Sequence, residues 1–176
     1  DALAYNGDTG ARVHNVNSHL YNRCVYEASR EAFGDQACVW GRAGWIGSQR
    51  HPLQWGGDPQ SDWEGLAASL RAGINHGHSG SPFHATDVGG FYGATQPEPA
   101  LYLRWVQAAI FASHFRIHGI GAREPWCFGK DVERIAREWL PFLAACVGGA
   151  VVTLVVTACT LRWLLRRQAP AEKCAP

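Results

Sequence analysis

In "HPLQWGGDPQSDW", residues 51–63, a carboxylate, Asp58, follows an aromatic and two glycines. Gly56 and Gly57 lack side chains and permit backbone angles closed to other residues, so Asp58 can be held out at a tight turn. The device recurs in "DVGGF", residues 87–91, where Asp87 precedes two glycines and Phe91. Arg42 in "WGRAG", and Arg116 with His118 in "FRIHG", add cations and an imidazole, and Trp55 shortly precedes Asp58. Acids, arginine, histidine and aromatics facing one cavity suit a carbohydrate. The acids protonate or stabilise a glycosidic centre, imidazole and carboxylate hydrogen-bond hydroxyls, and aromatics stack on sugar faces. Taken by itself, the Asp58 turn also reads as an ordinary surface turn.

The elements that must hold these groups alternate. "GARVHNVNSHLYNRCVYEASREAFG" reads as a helix ending at Gly34, with apolar residues at 13, 16, 20, 21, 25 and 28 along one face. Short strands are expected at 36–44, at 51–58, within 78–91 and at 115–119. Helices are expected from Asp62, capped by Ser61 or Asp62, to about Ile74, over 98–115, and from Asp131. Each polar group named above then lies near the C-terminal end of a strand. Repeated β/α alternation fits a doubly wound sheet or a (β/α)8 barrel, the α/β class. No GxGxxG opens a helix and there is no phosphate loop, which favours the barrel, although four β/α units cannot close one.

Composition narrows the partners. A net charge of +1 over 176 residues gives no footprint for a nucleic acid. Eight tryptophans and eight histidines are many for this length and fit sugar or aromatic pockets as well as a core. The chain has no methionine, so a processed product or a fragment is expected, and "DALAYNGDTGARVHN" lacks the apolar stretch of a signal peptide. Six cysteines, at 24, 38, 127, 146, 159 and 174, follow no metal-finger spacing and are expected as isolated buried thiols in a reducing compartment.

Several of these motifs, in this order, resemble one family. "SQRHPLQWGGDPQSDWEGLAASLRAGI", "SGSPFHATDVGGFYG", "LYLRW", "SHFRIHG" and "REPW" are similar to the second half of the catalytic barrel of glycoside hydrolase family 31, the retaining α-glucosidases and α-xylosidases. The resemblance covers residues 1–142. It implies an exo-acting α-glycosidase on an oligosaccharide or glycoside, with no metal and no cofactor. Asp58 matches the general acid/base, and Arg42 an arginine that binds sugar hydroxyls near it. Trp55 and Phe91 match pocket aromatics, or simply core residues. Asp87 matches an acid at the same subsite, and His118 a histidine on a sugar hydroxyl. Arg116 is expected in a structural ion pair.

Two departures follow from the same comparison. The family's nucleophile is an Asp in a "DFGE"-like motif. "DALAYNGDTGARVHN" resembles the segment just after it, so the nucleophile is expected to precede Asp1, and neither Asp1 nor Asp8 replaces it. His84, in "PFHATD", stands where many members carry Trp, which leaves glucose versus xylose open. His76, His78, His84 and Asp87 form no familiar ligand spacing for zinc. A non-catalytic, membrane-tethered, sugar-binding remnant is the alternative to an enzyme.

Past residue 142 the resemblance stops. "FLAACVGGAVVTLVVTACTL", residues 142–161, carries no charge and is long enough to span a bilayer, with "RWLLRR" after it. Residues 143–176 are therefore expected as an apolar helical tail with a basic, disordered terminus. It reads either as an anchor through 142–165 or as the product of an altered reading frame. The expected location is cytoplasmic, with membrane anchoring as the alternative; homo-oligomer formation by the full-length protein is left open.

Overall fold

A computed structural model describes residues 2–51 and 53–146, with side chains as far as Trp139. The described chain falls into two compact units: Asp1–Trp55 with Asn75–His84, and Gly56–Ile74 with the described residues from Ala85 onward.

Helix α1, Gly10–Phe33, dominates the first unit and ends where expected. Gly34 takes a φ of 58° and its N–H bonds the Arg30 carbonyl. Asn22 is its one buried residue, while Val16, Leu20, Tyr21, Val25 and Phe33 are exposed. The predicted apolar stripe is present, then, but largely uncovered. The interior of this unit is instead polar, with Asn22, Ser48, His51 and Gln54 buried beside Val39 and Leu53.

The second unit holds the apolar core. Helix α2, Trp63–His78, begins at the predicted place, and the Asp62 carboxylate accepts from the Gly65 amide at 2.6 Å as an N-cap. Its last residues group with the first unit. Helix α3, Pro99–Ala109, starts with proline at its first turn, where the missing N–H costs nothing. It buries Leu101, Tyr102, Trp105, Val106 and Ala109. Helix α4, Lys130–Cys146, adds Val132 and Ala136 to this cluster, and the 3₁₀ turn Pro125–Phe128 adds Phe128, stacked on Tyr102 at 4.0 Å. Predicted to run to residue 115, α3 stops six residues sooner, and Ile110, His114 and Phe115 are buried from irregular backbone.

The predicted strands are much shorter than their sequence windows. Among the described residues only β1, Gln54–Trp55, and β2, His84–Ala85, form a sheet, of two strands. Elsewhere among the described residues the pairing is reduced to isolated bridges: an antiparallel one, Leu3 with Thr9, and three parallel ones, Gly41 with Gln54, Gln60 with Tyr92 and Asp87 with Arg116. The window 36–44 contributes only the bridge at Gly41, and 115–119 only that at Arg116. Glycines at 41, 44, 56, 57, 89, 90 and 119, with Pro59, interrupt every run, and a ladder cannot extend through them. The parallel sense of these three agrees with β/α alternation.

Cys24 and Cys38 are exposed thiols, not buried ones, and Cys127 is disulfide-bonded. The expectation of isolated buried thiols fails at all three. Cys24 lies on the uncovered surface of α1, where no core forms to take it. Among the described residues no helix is long and apolar enough to cross a membrane. The apolar tail expected at 143–176 lies, beyond Cys146, outside the described residues.

Candidate functional site

In the first unit, main-chain pairing sets Arg42 against Trp55. The Gly41 amide bonds the Leu53 carbonyl at 2.9 Å, and the Trp55 amide bonds the Gly41 carbonyl at 3.0 Å. The Arg42 guanidinium carbon then stands 5.4 Å from the centre of the Trp55 ring. A cation over indole at an exposed position contributes about 0.5–1 kcal/mol. Asn22 donates to the Ala43 carbonyl at 2.8 Å, and a Cβ at Gly41 would stand 2.9 Å from the Asn22 oxygen. A side chain there would have to displace the Asn22 amide that ties this loop to α1.

The second unit contains Asp58, Asp87, Phe91 and His118. Gly57, at φ 89°, makes the turn predicted before Asp58, whose side chain is half-buried. The Pro59 carbonyl accepts from the Phe91 amide at 2.7 Å, and the Ser61 amide bonds the Tyr92 carbonyl at 2.8 Å. The Ile120 amide in turn bonds the Phe91 carbonyl at 2.9 Å. Three loops, after residues 58, 87 and 118, are thereby laced to one another through their main chains. The Phe91 and His118 rings meet at 5.2 Å between centres, tilted by 36°.

Asp87 is fully buried. Both its oxygens accept from Arg116, Oδ1 from Nε and Oδ2 from Nη2 at 3.2 Å, and the Val88 amide bonds the Arg116 carbonyl at 3.0 Å. Arg116 makes the ion pair expected of it. Sequence reasoning set Asp87 at a sugar subsite without seeing that this carboxylate is committed to a guanidinium.

Histidines gather in the first unit. His76 and His84 lie 5.3 Å apart between ring centres, and His51 lies 4.8 Å from Tyr26 and 5.8 Å from His19. Burial lowers the pKa of all three of His51, His76 and His84, helped by neighbouring His19 at His51 and by His76 at His84. Among the described residues no group of three or more His, Cys, Asp or Glu could hold a metal ion.

Arg123 is the residue sequence reasoning passed over. It sits within "REPW", is 2% exposed, and reaches Ser61 and the carbonyls of Gly90, Ala94 and Thr95. The signal available was indirect: glycines at 89, 90, 119 and 121, close to a lone arginine, mark a place where a large side chain needs room.

A family model for the glycosyl hydrolases family 31 TIM-barrel domain matches residues 1–142. An α-xylosidase of Emericella nidulans is 41% identical over 136 residues, covering 76% of this chain and 17% of that protein. Alpha-glucosidase 2 of Bacillus thermoamyloliquefaciens is 37% identical over 146 residues, covering 77% and 18%. Among solved structures, the cycloalternan-degrading enzyme of Trueperella pyogenes superposes with a TM-score of 0.76 at 28% identity, over 94% of this chain and 24% of that one. The chain thus spans about a sixth of the length of these two curated relatives.

Proposed function

The chain belongs to glycosyl hydrolase family 31 and is a stretch of that family's TIM barrel; from that premise we propose that it serves a retaining, exo-acting α-glycosidase releasing terminal α-linked glucose or xylose. The observation that carries the reading is the lacing of the three loops in the second unit, which holds Asp58, Phe91 and His118 on adjoining backbone. That is the arrangement a pocket for one sugar residue needs, since catalytic groups work only when held near their productive geometry.

In this reading Asp58 protonates the departing glycosidic oxygen and later takes a proton from water, while an opposing carboxylate, about 5–5.5 Å away, forms and releases the glycosyl-enzyme. Residues 1–142 supply the acid/base half of that pair, and the nucleophile comes from a "DFGE"-like motif outside this stretch. In the second unit Phe91 walls the sugar and His118 binds a hydroxyl, and the family resemblance gives Trp55 and Arg42 of the first unit the same two roles. Asp87, by the same resemblance an acid at this subsite, is paired with Arg116 on the strand end leading to His118. Glucosyl and xylosyl substrates both fit the reading, and the name of the Emericella relative leans towards xylose. A cytoplasmic location goes with it, with anchoring through residues 142–165 as the alternative, and alkaline extraction of a membrane fraction separates the two.

The test is Asp58→Asn in a full-length version. Hydrolysis of an α-linked disaccharide should fall by about 10²–10⁴-fold, the usual worth of a general acid. Substantial turnover remaining on that poor leaving group would remove Asp58 from the role.

A further inference from the structure

Arg123 lies where three loops meet, and every one of its N–H donors is used. Nε donates to the Gly90 carbonyl at 2.8 Å. Nη1 donates to the carbonyls of Thr95 at 2.6 Å and Ala122 at 3.1 Å. Nη2 donates to the Ala94 carbonyl and the Ser61 hydroxyl, both at 3.0 Å. Four acceptors are main-chain carbonyls and the fifth is a hydroxyl; among the described residues no ion pair with a carboxylate includes it. A buried cation without a counter-charge bears a desolvation cost that a well-packed apolar side chain would avoid. Its use here is therefore geometric. Only a planar fork of five donors reaches three carbonyls of one loop, a hydroxyl of another and a carbonyl of its own at once.

The surrounding backbone is shaped to admit it. A Cβ on Gly119 would stand 2.8 Å from Nε, and one on Gly89 would stand 3.1 Å from Cδ. Gly90, whose carbonyl it binds, could carry no Cβ without meeting the Ser61 backbone at 2.5 Å. Ser61 follows Asp58 by three residues, Gly90 adjoins Phe91, and Arg123 itself follows His118 on the third loop.

We propose that Arg123 is a positioning residue for glycoside cleavage, setting the loop that carries Asp58 in register with those that carry Phe91 and His118. The proposal rests on the glycosidase reading above. It predicts a selective defect: a shifted Asp58 impairs proton delivery to a poor leaving group, whereas fluoride departs with no need of a proton. Loss of folded enzyme would lower both rates alike.

The experiment compares full-length parent with Arg123→Lys on an α-linked disaccharide and the matching α-glycosyl fluoride, glucosyl or xylosyl as the parent accepts. The ratio of the two kcat/KM values does not depend on how much of the sample is folded. Lysine keeps the charge but has three donors on a flexible stem. The expected result is a fall in kcat/KM on the disaccharide at least about tenfold greater than on the fluoride, as for a displacement of about 1 Å at the acid. Ser61→Ala, which removes one acceptor, should shift the ratio the same way by a smaller factor and serves where the lysine variant is insoluble. An unchanged ratio in an active parent's variants would overturn the positioning role alone. A parent inactive on both substrates would overturn the glycosidase reading beneath it.

Discussion

Replacing Asp87 by asparagine tests whether the buried ion pair holds the second unit together. Asparagine keeps the shape but removes the charge and turns one acceptor into an N–H facing the Arg116 donors. Removing one member of a buried pair costs about 3–5 kcal/mol, because the other charge stays behind. The Arg116 side chain is 27% exposed, so water recovers part of that loss, while Asp87 has no exposed side-chain surface at all. We expect about 2–3 kcal/mol for Asp87→Asn on that scale, or roughly 4–12 °C in Tm for a chain of this length. Urea unfolding at neutral pH, followed by tryptophan fluorescence, measures it, and Trp105 is wholly buried in the same unit. A double-mutant cycle with Arg116→Met isolates the pair, with coupling expected above about 1 kcal/mol. Coupling below about 0.5 kcal/mol, the value of an exposed surface pair, would refute the reasoning.

Gly90→Ala adds a Cβ 2.5 Å from the Ser61 Cα at a φ of 79°, so strain and collision together should cost about 2–4 kcal/mol; a urea midpoint close to the parent's would show that the loop yields. Tyr102→Phe should leave Tm unchanged or raise it, because the Tyr102 hydroxyl is buried with no hydrogen-bond partner among the described residues. A buried unpaired hydroxyl costs about 1–3 kcal/mol, so a loss of several degrees on removing it would reveal a partner. His51, His76 and His84 have lowered pKa values when folded, so the unfolded chain binds more protons below about pH 6.5. Their contribution to stability is present above that pH and is lost as pH falls through their folded values. Melting scans from pH 8 to 5 should show the decline, and His51→Gln and His84→Gln should each make it shallower; a decline unaltered in both variants would assign it elsewhere.

The helices were legible because their signals are local. A glycine at 34 and an acid at 62 marked two of their ends, and apolar spacing marked their faces. The stop of α3 at Ala109 was not, since "IFASHF" contains neither Gly nor Pro and the helix yields there to burial of Ile110 and Phe115. Strand windows were legible as positions but not as lengths, because pairing is a non-local property and the glycines between pairs had no visible partner. In the candidate site, the order of acids, aromatics and histidine could be read from the motifs. The burial of Asp87 and the five-donor use of Arg123 could not, because both depend on loops that lie about 30 to 60 residues apart in sequence.

The chain passes between its two units at Trp55–Gly56, again at Ile74–Asn75 and again at His84–Ala85. Neither unit is therefore written as one uninterrupted stretch of gene. A recombination breakpoint between codons 56 and 84 separates pieces of both units at once, and no single excision yields either of them whole. Exchange between related genes should accordingly be tolerated outside this interval more readily than within it, and residues 56–84 should be inherited together with both flanks.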